Sequence, residues 1–191
     1  MNTANLLTLS RLPLLLLVIG ALLLIPLQGA ATAALILFVI AALTDWLDGV
    51  AARRLNQISD FGKLMDALLD KVLVVGLLTA LLAVDILPGW TLFPVILILT
   101  REFMVTGLRL LAAARQVVLA AEKSGKIKTV LQMVSLTSLL LSVSLVNDFS
   151  SLAPAWVSFF YWLGVVTLLL ATLQTVYSGL LYFWKYRSLL N

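Results

Sequence analysis

Four aspartates inside apolar sequence have the spacing of a catalytic site. Asp45 and Asp48 are three residues apart and Asp66 and Asp70 are four apart, so each pair shares one face if its segment is helical. Asp48 lies nine residues before Gln57, and Asp66 lies nine residues after it. Two antiparallel helices that turn near Gln57 would therefore carry all four carboxylates at one level, roughly 10 Å inside the turn at ~1.5 Å per residue.

Carboxylates gathered at such a depth need cations, because desolvation and mutual repulsion otherwise protonate some of them. Oxygen ligands favour Mg²⁺, Mn²⁺ or Ca²⁺, and four carboxylates are enough for two ions. The alternative is a solvated helical hairpin in which the aspartates pair with nearby cations, namely Arg53, Arg54, Lys63 and Lys71. The depth of Asp45 and Asp70 in apolar sequence argues against that alternative.

The same stretch resembles the signature of the CDP-alcohol phosphatidyltransferase family, and every spacing of that signature is intact: Asp45-x2-Asp48-Gly49-x2-Ala52-Arg53-x8-Gly62-x3-Asp66-x3-Asp70. The resemblance implies a homodimeric membrane enzyme that moves a phosphatidyl group from a CDP-linked lipid to an alcohol and releases CMP. It implies Asp45, Asp48 and Asp66 as ligands of two Mg²⁺ or Mn²⁺ ions. Asp70 is implied as the base for the attacking hydroxyl, and metal ligation by Asp70 stays open.

Composition independently indicates a membrane protein. Of 191 residues, 62% are hydrophobic and 12% are charged, which is typical of a polytopic membrane protein with a single domain over residues 1–191. The sequence has no Cys and no His, so the general base is a carboxylate, Lys or Tyr. The net charge of +4 is explained by cations at the inner membrane surface, and nucleic acid is not an expected partner.

Hydropathy predicts an all-α fold with a short N-terminal interfacial helix over residues 1–13 and six transmembrane helices. The predicted spans are Leu12–Leu27, Ala31–Leu55, Phe61–Ala83, Thr91–Arg115, Gly125–Val146 and Ala155–Trp184. Cations gather at the ends on one side: Arg11, Arg53, Arg54, Lys63, Arg115, Lys123, Lys126, Lys128, Lys185 and Arg187. We therefore expect a multi-pass protein of the bacterial inner membrane, with both termini and the carboxylates facing the cytoplasm.

Two groups of residues are candidates for binding the cytidine diphosphate. Thr8 and Arg11 lie on one polar face near the N-terminus, where capping or contact with lipid headgroups is the alternative. In the second group, small residues leave room for the nucleotide, or else merely let helices pack closely. The family resemblance places the nucleotide against Asp48, Gly49, Ala52, Arg53 and Gly62, with Arg53 near phosphate oxygens.

Charges within the fourth and fifth spans are candidates for binding the acceptor. Arg109, Lys126 and Lys128, with Arg101 as a weaker candidate, are predicted to hold an acceptor phosphate. Glu102 and Arg109 share a face and have simple pairing as the alternative. Lys126 and Lys128 are two residues apart, so a regular helix points them about 200° apart and at most one faces the site.

An excess of cations near the carboxylates favours an anionic acceptor. The stretches REFMVTGLR and GKIKT closely resemble those of the bacterial phosphatidylglycerophosphate synthases, a branch of the family. The resemblance implies transfer from CDP-diacylglycerol to sn-glycerol 3-phosphate. The alternatives are the same chemistry on another alcohol, such as phosphatidylglycerol or inositol phosphate, or a cation or proton transporter with carboxylates along its path. Direct transfer and a covalent intermediate both stay open.

Overall fold

The computed structural model describes residues 3–24, 27–55, 60–115, 123–149 and 154–187. Side chains are described throughout these ranges except at 3–11, 45–55, 60–67, 70, 114, 123 and 124, where only the backbone is described. The described ranges contain no strand, one 3-10 turn at Gly89–Thr91, and six long helices: α1 Thr3–Leu23, α2 Ala30–Leu55, α3 Asp60–Ala83, α4 Leu92–Ala114, α5 Lys123–Asn147 and α6 Pro154–Tyr186. The predicted all-α class is confirmed.

Two of the helices are long and apolar enough to cross a membrane, over Gly125–Asn147 in α5 and Pro154–Tyr186 in α6. Within the described residues, the first three helices carry shorter apolar segments, Leu12–Leu23, Ala30–Thr44 and Lys71–Ala83. Large apolar side chains also cover much of the outer surface of the bundle. Such a surface is typical of a protein surrounded by lipid, and the number of crossings stays a prediction.

The N-terminal region differs from its prediction. A short surface helix followed by a separate first span was expected, but Thr3–Leu23 is one continuous helix that contains Pro13 in its interior. Proline removes one backbone hydrogen bond and usually kinks a helix. Helices in apolar surroundings tolerate it when neighbouring groups compensate, and α1 packs against both α2 and α3. The prediction of a separate interfacial helix is therefore wrong.

The pairing of α5 with α6 is the most extensive helix contact in the described bundle. Gly164 permits it, since a Cβ at this position would lie 2.6 Å from Leu139 Cγ and 3.1 Å from the Leu139 backbone nitrogen. The Ser135 hydroxyl donates a hydrogen bond of 2.7 Å to the Gly164 carbonyl at the same contact. Close approach through small residues is a common way for helices to associate in membranes, and here it packs α5 tightly against α6.

A carboxylate just beyond α5 caps the start of α2. Asp148 Oδ1 accepts a hydrogen bond of 2.7 Å from the Gly29 backbone N–H. Asp148 Oδ2 accepts bonds from the Thr32 backbone N–H at 2.7 Å and from the Thr32 hydroxyl at 2.5 Å. The Thr32 hydroxyl also lies 2.7 Å from the Ser144 hydroxyl. A negative charge at a helix N-terminus is favourable, so this cap anchors the helix that carries Asp45 and Asp48.

Candidate functional site

The predicted acidic site lies on two consecutive helices. Asp45 and Asp48 are in the last three turns of α2, and Asp66 and Asp70 are in the first three turns of α3. Both pairs therefore lie on helical backbone, where residues three or four apart share one face. Asp48 is about two turns before the end of α2, and Asp66 is about two turns after the start of α3. Their side chains, and the turn predicted near Gln57, lie outside the described residues.

The residues predicted to bind the nucleotide also lie on helical backbone with side chains outside the described set. They are Thr8 and Arg11 in α1, Gly49, Ala52 and Arg53 in α2, and Gly62 in α3. Among the side chains that the structure does describe, no group of three or more acidic, His or Cys residues could hold a metal. The predicted donor set consists only of carboxylate oxygens, and that chemistry fits Mg²⁺ or Mn²⁺.

A buried ion-pair cluster joins α4 to α5. Lys128 Nζ donates a short hydrogen bond to Glu102 Oε1, and Arg101 Nη1 donates a bond of 3.2 Å to the same oxygen. The three side chains are only 9–12% exposed. Buried charges are costly unless they are paired and hydrogen-bonded, and Glu102 supplies one negative charge for two positive ones. The described cluster therefore keeps a positive excess in an apolar bundle.

The guanidinium of Arg101 lies across the contact between α4 and α6. Arg101 Nη2 donates a bond of 3.0 Å to the Ser178 hydroxyl. Gly179 makes the space, since a Cβ there would lie 2.6 Å from Arg101 Cγ. Arg101 Nε is buried and has no hydrogen-bond acceptor among the described residues. Buried N–H groups are nearly always satisfied, so this donor is suited to an anion that the polypeptide does not provide.

The four cations predicted to bind the acceptor are not all brought together. Lys128 is 7% exposed and joins Arg101 at Glu102, whereas Lys126 is exposed. The expected divergence of the two lysines is confirmed. Arg109 is exposed and turns to α6, where its Nε lies 3.4 Å from the Tyr182 hydroxyl and its Cζ lies 5.6 Å from the ring centroid. The described partners of Glu102 are thus Arg101 and Lys128, and the alternative pair with Arg109 is wrong.

The sequence reasoning did not connect three polar residues with these cations: Gln132 and Ser178, which lie beside the cluster, and Tyr182, which contacts Arg109. Gln132 lies one helical turn beyond Lys128 on the same face of α5 and is 5% exposed. Its position four residues after a candidate lysine, within an apolar helix, was a usable signal. Ser178 and Tyr182 come from α6, far along the chain, and no local pattern connects them to α4.

Comparison with known proteins establishes the class. The sequence model of the CDP-alcohol phosphatidyltransferase family matches residues 1–178, so the chain belongs to this family. Members of the family generally depend on divalent metal ions. Family membership also decides the class of function in favour of an enzyme, a phosphatidyltransferase, and against the transporter alternative.

Individual relatives point to one branch. The CDP-diacylglycerol–glycerol-3-phosphate 3-phosphatidyltransferase of Bacillus subtilis is 44% identical over 160 residues, covering 82% of this chain and 74% of the relative. The enzyme of the same name from Rickettsia felis is 34% identical over 148 residues, covering 78% and 75%. That of Cereibacter sphaeroides is 41% identical over 112 residues, covering 59% and 51%.

Proposed function

We propose that this protein transfers the phosphatidyl group of CDP-diacylglycerol to sn-glycerol 3-phosphate, giving phosphatidylglycerol phosphate and CMP. The observation that carries the choice of acceptor is the buried cluster of Arg101, Glu102 and Lys128 between α4 and α5. Its positive excess suits a phosphomonoester dianion. A neutral inositol or a zwitterionic serine would gain little from it. The names of the relatives from Bacillus subtilis and Rickettsia felis support the same acceptor.

The acceptor phosphate is proposed to bind on the Arg101 and Lys128 side. Arg101 Nε has no acceptor among the described residues, and Lys128 reaches the cluster from α5. Both are mostly buried, and charge-assisted hydrogen bonds are strongest where water is excluded. Arg109 and Lys126 are exposed and are better placed to attract the anion than to hold it. Arg101 therefore replaces Arg109 as the leading arginine candidate.

CDP-diacylglycerol, which supplies the phosphatidyl group, is proposed to bind where α2 and α3 carry the four aspartates. Asp45, Asp48, Asp66 and Asp70 would hold two Mg²⁺ or Mn²⁺ ions, whose role is to neutralise charge on the pyrophosphate. The nucleotide would contact residues from three helices, namely Thr8, Arg11, Asp48, Gly49, Ala52, Arg53 and Gly62. Asp70 would also accept the proton of the attacking hydroxyl. In this scheme the hydroxyl attacks the β-phosphorus directly and CMP leaves.

Six membrane crossings with both termini and the active site in the cytoplasm are proposed for the fold. Each described helix has at least 21 residues, and about 20 residues are enough to span a bilayer. The predicted asymmetry of the cations supports the orientation. The bacterial relatives support an inner-membrane location, and the family resemblance supports a homodimer.

The decisive experiment measures CMP release by the purified protein in detergent with CDP-diacylglycerol and Mg²⁺ or Mn²⁺. Parallel reactions contain sn-glycerol 3-phosphate, inositol phosphate or phosphatidylglycerol. We expect rapid CMP release with sn-glycerol 3-phosphate alone, accompanied by phosphatidylglycerol phosphate. Faster release with either of the other acceptors would replace the proposed acceptor, and no release with any acceptor would contradict the proposed function.

The acidic residues are tested by four single substitutions. Asp45→Asn, Asp48→Asn and Asp66→Asn should each weaken Mg²⁺ binding and abolish most turnover, because one lost carboxylate disturbs both ions. Asp70→Asn should reduce turnover ~10²–10⁴-fold while largely preserving nucleotide binding, as expected for loss of a base. Equal losses of metal affinity and turnover in Asp70→Asn would make Asp70 a plain metal ligand.

A further inference from the structure

A small cavity lies between α3, α4 and α5, beside the ion-pair cluster. It measures about 20 Å³, and its walls include Lys71, Glu102, Lys128, Thr129 and Gln132. A space of this size holds one water molecule or one hydroxyl group. It is too small for a phosphate, whereas a hydroxyl of the acceptor would fit.

One wall of this cavity carries an unsatisfied donor. Gln132 is 5% exposed, and its Nε2 is buried with no hydrogen-bond acceptor among the described residues. Buried amide groups are almost always hydrogen-bonded, and the exceptions call for a partner outside the chain. Gln132 lines the cavity, and its unpartnered N–H group is chemically matched to a hydroxyl oxygen.

The cavity lies next to the side of the cluster that is proposed to bind the acceptor phosphate. Lys128, on the side proposed for the phosphate, is one helical turn from Gln132 on the same face of α5. Lys71 lines the cavity from α3, the helix that also carries Asp70, the proposed base. In sn-glycerol 3-phosphate the C2 hydroxyl lies between the phosphate and the attacking C1 hydroxyl. The C2 hydroxyl is next to the phosphate-bearing carbon, so with the phosphate on the Lys128 side it would reach this cavity.

We propose that Gln132 is a specificity-determining residue that donates a hydrogen bond to the C2 hydroxyl of sn-glycerol 3-phosphate. This inference rests on the proposed function and adds to it the recognition of a group that takes no part in the reaction. A site built to bond a hydroxyl rejects an analogue that lacks it, because the buried donor is then left unpaired. Gln132 thus distinguishes a glycerol phosphate from a simpler hydroxyalkyl phosphate.

The test pairs a change in the protein with a change in the acceptor. Wild type and Gln132→Met are assayed by CMP release with sn-glycerol 3-phosphate and with 3-hydroxypropyl phosphate, which lacks only the C2 hydroxyl. Methionine keeps the approximate size of the side chain without its donor. Wild type should favour sn-glycerol 3-phosphate by about tenfold or more in kcat/KM, and Gln132→Met should lose about tenfold on this acceptor and little on the analogue. The preference should therefore collapse, with the KM for CDP-diacylglycerol unchanged.

Ser142→Ala serves as the matched control. Ser142 is also buried in α5, but its hydroxyl bonds the Leu139 carbonyl within its own helix, so the wild-type preference should persist. Equal losses by Gln132→Met on both acceptors would overturn the proposal and indicate a site for structural water. Wild type that accepts both compounds equally well would overturn it without any variant, even if Gln132→Met does not fold. Failure of the proposed function is separate, since wild type would then release no CMP with sn-glycerol 3-phosphate.

Discussion

Two carboxylates contact the rest of the bundle near opposite ends of α5, Glu102 of α4 near its start and Asp148 just after its end, and their surroundings differ. Asp148 is bonded by two backbone N–H groups and one hydroxyl, all from the start of α2. Glu102 is bonded by two cations, and unsatisfied donors of Arg101 and Gln132 remain nearby within the described part of the chain. The Asp148 cluster uses its hydrogen-bonding capacity to hold helices together. Around Glu102, by contrast, the described donors Arg101 Nε and Gln132 Nε2 have no partner, and a ligand could accept their hydrogen bonds.

Among variants of these two clusters, the largest expected effect comes from Lys128→Met. Loss of one charge-assisted contact to the acceptor phosphate should raise the KM for sn-glycerol 3-phosphate ~10²-fold, corresponding to about 3 kcal/mol. The KM for CDP-diacylglycerol should change much less. Lys126→Met is the matched variant, and its effect should be smaller because Lys126 is exposed. If both KM values rise together in Lys128→Met, these cations belong to the nucleotide side instead.

Two glycine substitutions on α6 should distinguish a contact that only holds helices together from one that belongs to the proposed acceptor site. Gly164→Ala places a methyl group against Leu139 and Gly179→Ala places one against Arg101, and overpacking of this kind costs about 1–3 kcal/mol. Gly164→Ala should lower Tm while the KM for sn-glycerol 3-phosphate stays near wild type. Gly179→Ala should raise that KM, because it displaces Arg101, a cation of the proposed acceptor site. The comparison fails if Gly164→Ala impairs acceptor binding as much as Gly179→Ala does.

Asp148→Asn should have a purely structural effect. The substitution removes the negative charge that caps α2 and weakens the bonds to Gly29 and Thr32, so Tm should fall by a few degrees. The KM values of both substrates should stay unchanged in the folded fraction. A thermal unfolding curve with parallel kinetics at a temperature well below Tm would check both statements. A selective rise in the KM for sn-glycerol 3-phosphate would show that the cap is not a separate structural region.

The smallest effect is the pH dependence of the same cap. The Thr32 hydroxyl bond, followed by the Gly29 and Thr32 backbone bonds, lowers the pKa of Asp148 against the opposing effect of burial. The unfolded chain therefore binds this proton more tightly, and the stabilisation by Asp148 is complete above the ordinary carboxyl pKa of about 4. It is lost as pH falls through the lower pKa of the folded state. The Tm difference between wild type and Asp148→Asn should shrink over that range, and a constant difference would contradict this account.

Local pattern predicted most of the helices but not their mutual rotation. Hydropathy placed the ends of α2 to α6 within one or two residues, because long apolar runs and Pro or Gly breaks mark them clearly. The N-terminal helix was wrongly divided in two, since Pro13 normally marks a helix start but here lies inside α1. The geometry of one helix was also enough to predict that Lys126 and Lys128 point apart.

Contacts between distant segments were beyond the same reasoning. Gly179 of α6 leaves room for the Arg101 side chain, which bonds Glu102, while Arg109 contacts Tyr182 of α6; no local pattern in α4 predicts these contacts. The i,i+7 spacing of Glu102 and Arg109 was outweighed by Lys128 from α5, which lies closer in space. Packing between helices decides how each helix is rotated about its axis. Patterns within single segments of the sequence do not predict that rotation.

The cap formed by Asp148 also has a consequence for the order of assembly. Asp148 follows Thr32 by 116 positions, so the ribosome completes α2, α3, α4 and α5 before the cap residue exists. Until then, the first N–H groups of α2 must rely on water or lipid headgroups. The helix that carries Asp45 and Asp48 is thus secured only after most of the chain has been made. A nascent chain that ends before residue 148 would lack this cap on α2.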